Sequence, residues 1–185
     1  QNFNALLWTI GDGGPQNDRH REGQNTQSLF GTVVRILVPS GPNSPGFKIP
    51  KGTPFRGRLA AGRPEIFAWG FRNPFSCSID RNKRTLFLYC GDVGQSSVES
   101  IKLIMAGMNF GWGQYEGSRC HVLNEKEHGK CYGPAPDHVA KPFLEYCHTD
   151  YYLDGPEAGR AVRGDLCPRG KAKAVRGNAA IGEGG

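Results

Sequence analysis

Three short stretches combine residue types that could do chemistry. In the first, Arg72-Asn73-Pro74 follows Gly70-Phe71 at the end of an apolar run, Glu65 to Trp69. Proline biases the residue before it toward extended backbone, which fixes Arg72 and Asn73 at the mouth of a strand. A guanidinium there either pairs with a neighbouring carboxylate or offers its planar fork of donors to an anionic ligand. Sequence physics leaves both open. The second stretch is Cys90-Gly91-Asp92-Val93-Gly94-Gln95. Its glycines let backbone carbonyls turn toward a cation, which suits an oxygen-seeking ion such as Ca²⁺, although a turn or β-bulge is the plainer reading. In the third, Gly11-Asp12-Gly13-Gly14, the later glycine, following helix and Lys-Ser/Thr of a phosphate loop are missing. A tight turn with Asp12 bonded to its own backbone is expected instead. The histidines (His20, His121, His128, His138, His148) have no H-E-x-x-H spacing and no Gly-x-Ser-x-Gly elbow accompanies them, so hydrolytic chemistry has little support.

The six cysteines, Cys77, Cys90, Cys120, Cys131, Cys147 and Cys167, contain no C-x-x-C. That spacing disfavours zinc, which usually brings one close ligand pair, though Cys120-His121 and Cys147-His148 keep it open. Disulfides are the better reading and imply an oxidising compartment. Phe75–Asp80 and Thr85–Cys90 read as two strands joined by the polar turn Arg81-Asn82-Lys83-Arg84. Antiparallel pairing about that turn sets Cys77 nearly opposite Cys90, within bridging distance. Cys120–Cys131 and Cys147–Cys167 follow only by parsimony between sequence neighbours.

The elements that position these groups are short strands. Candidates are Ala5–Ile10, Thr32–Val38, Glu65–Trp69, Phe75–Asp80, Thr85–Cys90, Ser100–Met105 and Pro142–Tyr146, each bounded by turn-forming residues. Long loops separate them at Asp12–Gln27, Pro39–Arg63, Gly113–Ala140 and His148–Asn178; loops of such length are usually functional or stapled. With 27 Gly and 13 Pro in 185 residues, the composition is that of a turn-rich all-β protein and excludes a helical bundle. No apolar run is long enough to span a bilayer. The net charge is +6; the Lys and Arg read as scattered, apart from a tail run of Arg160, Arg163, Arg169, Lys171, Lys173 and Arg176. Without interleaved aromatics or a nucleic-acid motif, that run reads as a solvated loop, and no nucleic-acid partner is expected.

Taken together, several segments resemble a known family. They are Leu6 to Gly14, Ser28-Leu29-Phe30-Gly31-Thr32-Val33-Val34-Arg35-Ile36, Pro64 to Pro74, Gly91-Asp92-Val93-Gly94-Gln95 and Asn109-Phe110-Gly111-Trp112. Their order and spacing resemble the glucose/sorbosone dehydrogenases, six-bladed β-propellers related to soluble quinoprotein glucose dehydrogenase. The Cys77 and Cys90 positions and the Glu116-Gly117…Cys120…Cys131 region resemble the Hedgehog-interacting-protein-like branch.

The resemblance implies a fold and a site. A propeller blade takes about 40–50 residues, so residues 1–185 are expected to form one incomplete propeller of about three to four blades with long disulfide-stapled loops. Residues 148–178 would be a basic loop leading to the next blade, which the ending Ala180 to Gly185 resembles at its start. The remaining blades would complete the ring. Arg72 and Asn73 match residues that contact pyrroloquinoline quinone (PQQ), and Gly94 and Gln95 match positions whose carbonyls hold a cofactor-linked Ca²⁺. Gln95 departs from the proline common in bacterial members, and Glu99-Ser100 from a common acidic pair. The family's catalytic histidine would fall before Gln1. The implied activity is oxidation of a sugar hydroxyl by hydride transfer to PQQ, with a sugar substrate. The alternatives are a non-catalytic extracellular propeller binding a protein or glycan partner, or a structural component of an extracellular assembly.

Overall fold

A computed structural model of the chain describes residues 3–39, 46–80, 87–121 and 135–147. Nine strands fall within them: β1 (Phe3–Ile10), β2 (Thr32–Pro39), β3 (Ile66–Trp69), β4 (Pro74–Asp80), β5 (Phe87–Asp92), β6 (Val98–Ile104), β7 (Tyr115–Glu116), β8 (Arg119–Cys120) and β9 (Leu144–Cys147). They form an antiparallel three-stranded sheet β1-β2-β3, an antiparallel four-stranded sheet β4-β5-β6-β9 and the small hairpin β7-β8. The seven expected strands all occur, with ends shifted by a few residues. The hairpin is an addition, too short for alternation to reveal. Among the described residues the two larger sheets do not close a ring. The tail run, the basic loop 148–178, Cys131 and Cys167 lie outside the described residues.

The sheets pack face to face through Val33 and Ala68 on one side and Leu88, Cys90 and Ile104 on the other, with Phe71 and Phe110 between them. Leu7 of β1 joins this layer. Period-two alternation therefore sends Leu6 and Trp8 to the opposite face of the first sheet, where both are exposed. Phe75, Ile79 and Ile101 are similarly exposed on the second sheet.

Cys77 and Cys90 are joined, with Cα atoms 4.1 Å apart. Their approach depends on a register shift between Phe75 and Ser78, where Ser76 adopts a left-handed φ of 51°. Such a bulge turns the Cys77 side chain toward its partner strand. Cys120 is also disulfide-bonded, which removes its thiolate from any zinc site. Replacing Cys77 and Cys90 together by Ser should lower unfolding free energy by about 3 kcal/mol, read as a reduced urea midpoint under non-reducing conditions. An unchanged midpoint would mean that the β4-β5 pairing alone holds the strand ends.

Candidate functional site

Four connections meet at one end of the sheets: the turn after β1, the Gly70–Asn73 link between β3 and β4, the Val93–Ser97 link between β5 and β6, and Asn109–Trp112. Gly70 permits this crowding. Its φ is +80°, and a Cβ there would lie 2.3 Å from Asn109 Oδ1 and 2.5 Å from the Gly111 nitrogen. The Asp12 amide donates to the Arg72 carbonyl at 2.8 Å, and Trp112 Nε1 donates to Asp12 Oδ2 at 2.7 Å. Gln24 bonds the Trp112 carbonyl and exchanges hydrogen bonds with the Asn109 side chain. The Gly11–Gly14 stretch is a turn whose Gly14 amide donates to Asp12 Oδ1, as its composition predicts.

Arg72 and Asn73 are held from behind. Asp92 Oδ1 accepts the Asn73 amide at 2.7 Å and Oδ2 accepts the Arg72 amide at 3.4 Å. Asp92 Oδ2 also pairs with Lys102, and both side chains are almost wholly buried. The Lys102 ammonium sits 5.0 Å from the Phe71 ring centre and 4.9 Å from that of Phe110, where aromatic faces offset part of its lost hydration. Asn73 itself is exposed at the rim.

The Arg72 side chain turns to main-chain carbonyls. Its Nη1 donates to Val93 O at 3.0 Å and Gly94 O at 2.8 Å, and the guanidinium carbon lies 5.9 Å from the centre of the Trp112 ring. Neither reading of Arg72 from sequence anticipates this use. Its Nε and Nη2 bond nothing among the described residues. The recess beneath, lined in part by Arg72, Gly94, Trp112 and Glu116, has room for roughly one water. An organic ligand would therefore lie across its opening.

Gly94 and Gln95 begin a loop whose amides face inward. Gly94 N donates to Glu99 Oε2 at 2.9 Å, while the amides of Gln95, Ser96 and Ser97 converge on Glu116 Oε1 at 2.7, 2.8 and 3.0 Å. A Cβ at Gly94 would lie 1.8 Å from Val98 O, so only glycine fits this turn. Gln95 reaches away with its side chain: Oε1 accepts the Asn17 amide at 2.7 Å and Nε2 donates to Asn17 Oδ1. It ties the turn after β1 to the β5-β6 loop.

Glu116 is in turn paired with His121, Nδ1 to Oε2 at 3.0 Å, with both side chains buried. Burial alone would raise the Glu116 carboxyl. The hydrogen bond and charge of His121, with the amides of Ser97 and Ser96, outweigh it and lower the pKa to about 2. Sequence reading passes over Glu116, His121 and Lys102 as parts of the site, because each acts on a segment distant in the chain.

As arranged, this end presents a rigid mouth with one guanidinium edge and an exposed amide side chain. Its fit to a divalent ion is poor. Ca²⁺ takes six to eight oxygens at about 2.3–2.6 Å, and the Gly94 carbonyl is bonded to a guanidinium whose positive charge opposes a second cation. Among the described residues, no three His, Cys, Asp or Glu groups are placed to hold a metal.

The model of the glucose/sorbosone dehydrogenase family matches residues 1–146. The chain belongs to the glucose/sorbosone dehydrogenase family. Within that family it is 40% identical over 121 residues to the HIPL2 protein of Arabidopsis thaliana and 39% identical to the HIPL1 protein of the same plant. Each alignment covers 60% of this chain and 17% of the relative, so the chain spans about a sixth of these relatives. Among solved structures, a soluble aldose sugar dehydrogenase from Escherichia coli, in its apo form, superposes with a TM-score of 0.58 at 20% identity. That match covers 76% of this chain and 36% of the bacterial one. A glucose dehydrogenase-type oxidoreductase from Thermus thermophilus gives 0.54 at 26% identity, over 78% and 35%. The glucose/sorbosone dehydrogenase chain is thus all-β and comparable to part of a larger family fold. No helix among its described residues is long and apolar enough to cross a membrane.

Proposed function

We propose that the chain is a segment of an extracellular, non-catalytic propeller that binds a protein or glycan partner, in the manner implied by the Hedgehog-interacting-protein-like branch. The observation that carries this reading is the Arg72 guanidinium on the Gly94 carbonyl, a fixed positive charge against one of the two carbonyls that the family resemblance assigns to a cofactor-linked cation. The disulfides support an oxidising, extracellular setting. The apolar outer faces at Leu6 and Trp8, and at Phe75, Ile79 and Ile101, suit burial against the remaining blades of a six-bladed ring.

A second reading keeps one specific observation. Arg72 retains an Nε–Nη2 edge, unbonded among the described residues, beside exposed Asn73, and such an edge suits a carboxylate of PQQ. In that case the segment contributes part of a sugar dehydrogenase site, with PQQ supplying the redox chemistry.

Full-length protein supplied with PQQ, Ca²⁺, a panel of aldoses and an artificial electron acceptor separates the two. No sugar-dependent reduction of the acceptor is expected. Turnover that requires both PQQ and Ca²⁺ overturns the non-catalytic reading.

A further inference from the structure

A basic surface lies on two loops that sequence treats as unrelated. The first follows β1 and carries Arg19, His20 and Arg21, all exposed. Its backbone is held in an unusual shape: Asn17, Asp18 and Arg21 have φ of 66°, 44° and 58°, a region that side-chain-bearing residues adopt at a cost. Buried Asp18 holds that shape by accepting the amides of Glu22 and Gly23. The second loop precedes β3 and exposes Lys51, Arg56, Arg58 and Arg63.

The loops are fastened together. Arg63 N donates to Thr26 O at 2.8 Å, Thr26 Oγ1 to Ala61 O at 2.8 Å, and Gln27 Nε2 to Leu59 O and Ala60 O at 3.2 and 3.1 Å. Residues 19–27 and 51–63 together hold six Lys or Arg against a single acidic residue, Glu22. Of the six, only Arg63 has an acidic partner among the described residues, Glu65. Charges displayed this way on pre-shaped loops attract a polyanion without first paying to order the loops.

We infer that these docked loops bind an acidic polysaccharide. The cross-strand disulfide sets the compartment as oxidising, where sulfated and uronate-bearing polysaccharides are the abundant polyanions and nucleic acid is not. This inference names the partner class within the partner-binding reading and rests on it, but uses none of Arg72, Asn73, Gly94 and Gln95.

The test measures binding of full-length protein to immobilised heparin and to polygalacturonate, over a range of NaCl, for wild type and R19Q/R21Q/R56Q. Those three arginines make no side-chain hydrogen bond among the described residues, so an unchanged urea midpoint is expected of the variant. Affinity should fall at least tenfold, with a shallower dependence on salt; the better of the two polymers identifies sulfate or carboxylate as the recognised group. A second variant, R169Q/K171Q/K173Q, should bind as wild type does. The inference is overturned if only the second variant loses binding, if neither polymer binds, or if a DNA duplex competes as well as the polysaccharide. Sugar turnover in the dehydrogenase assay would overturn the non-catalytic reading and leave this surface standing.

Discussion

Replacing Lys102 by Met should lower folding stability by about 3–5 kcal/mol, because it strands the Asp92 carboxylate in the core without its cation. Lys102 has a side-chain exposure of 3% and Asp92 of 5%, so water cannot take over. The loss should reach the mouth as well, since Asp92 also holds the amides of Arg72 and Asn73. Urea unfolding gives the magnitude, and a double variant gives the cause. Asp92→Asn with Lys102→Met removes both charges and should recover much of the loss, because a buried pair stabilises little beyond neutral groups of similar shape. If the double variant is as unstable as K102M alone, the cost lies in lost packing on Phe71 and Phe110.

Acid should act through a different group. Glu116 is held at about 2 against an ordinary 4.5, so its ionised form belongs to the folded state. Its contribution is complete above the unfolded value, declines as pH falls from about 4.5 toward 2, and is absent below. The shift corresponds to about 3 kcal/mol. Urea midpoints between about pH 7 and pH 2 should therefore drop more steeply for wild type than for Glu116→Gln, and the two should converge near the folded-state value of about 2. Parallel curves would show that the amides of residues 95–97 do not depend on that charge.

What the sequence makes legible follows from locality. Strands bounded by Gly, Pro and Asn are recognisable because their signals lie within a few residues, and the Cys77–Cys90 bridge is recognisable because one turn relates the two cysteines. The bulge at Ser76 is not, since a left-handed serine leaves no compositional mark. In β6, Val98-Glu99-Ser100-Ile101-Lys102-Leu103-Ile104, hydrophobicity points Ile101 and Leu103 inward. The fold instead buries Ser100 and Lys102, because Asp92 on the neighbouring strand supplies a partner that hydropathy does not count. Gln95 illustrates the same gap. The family resemblance directs attention to its carbonyl, whereas its side chain joins Asn17, 78 residues away in sequence. The basic face is hidden from sequence because its arginines come from two loops that hydrogen bonds of Thr26 and Gln27 bring together.

Four buried carboxylates, Asp18, Asp92, Glu116 and Glu145, hold main-chain amides of segments outside regular pairing, Glu145 that of Ser118 alone and the others two or more each. Shape at this end is consequently stored in a few interior anchors and not in the residues that solvent touches. Loop crests between the anchors can then be exchanged or lengthened while their stems stay put. That property makes the fold a candidate frame for grafting foreign recognition sequences, with insertions placed at Arg19–Arg21 and the anchoring acids left alone.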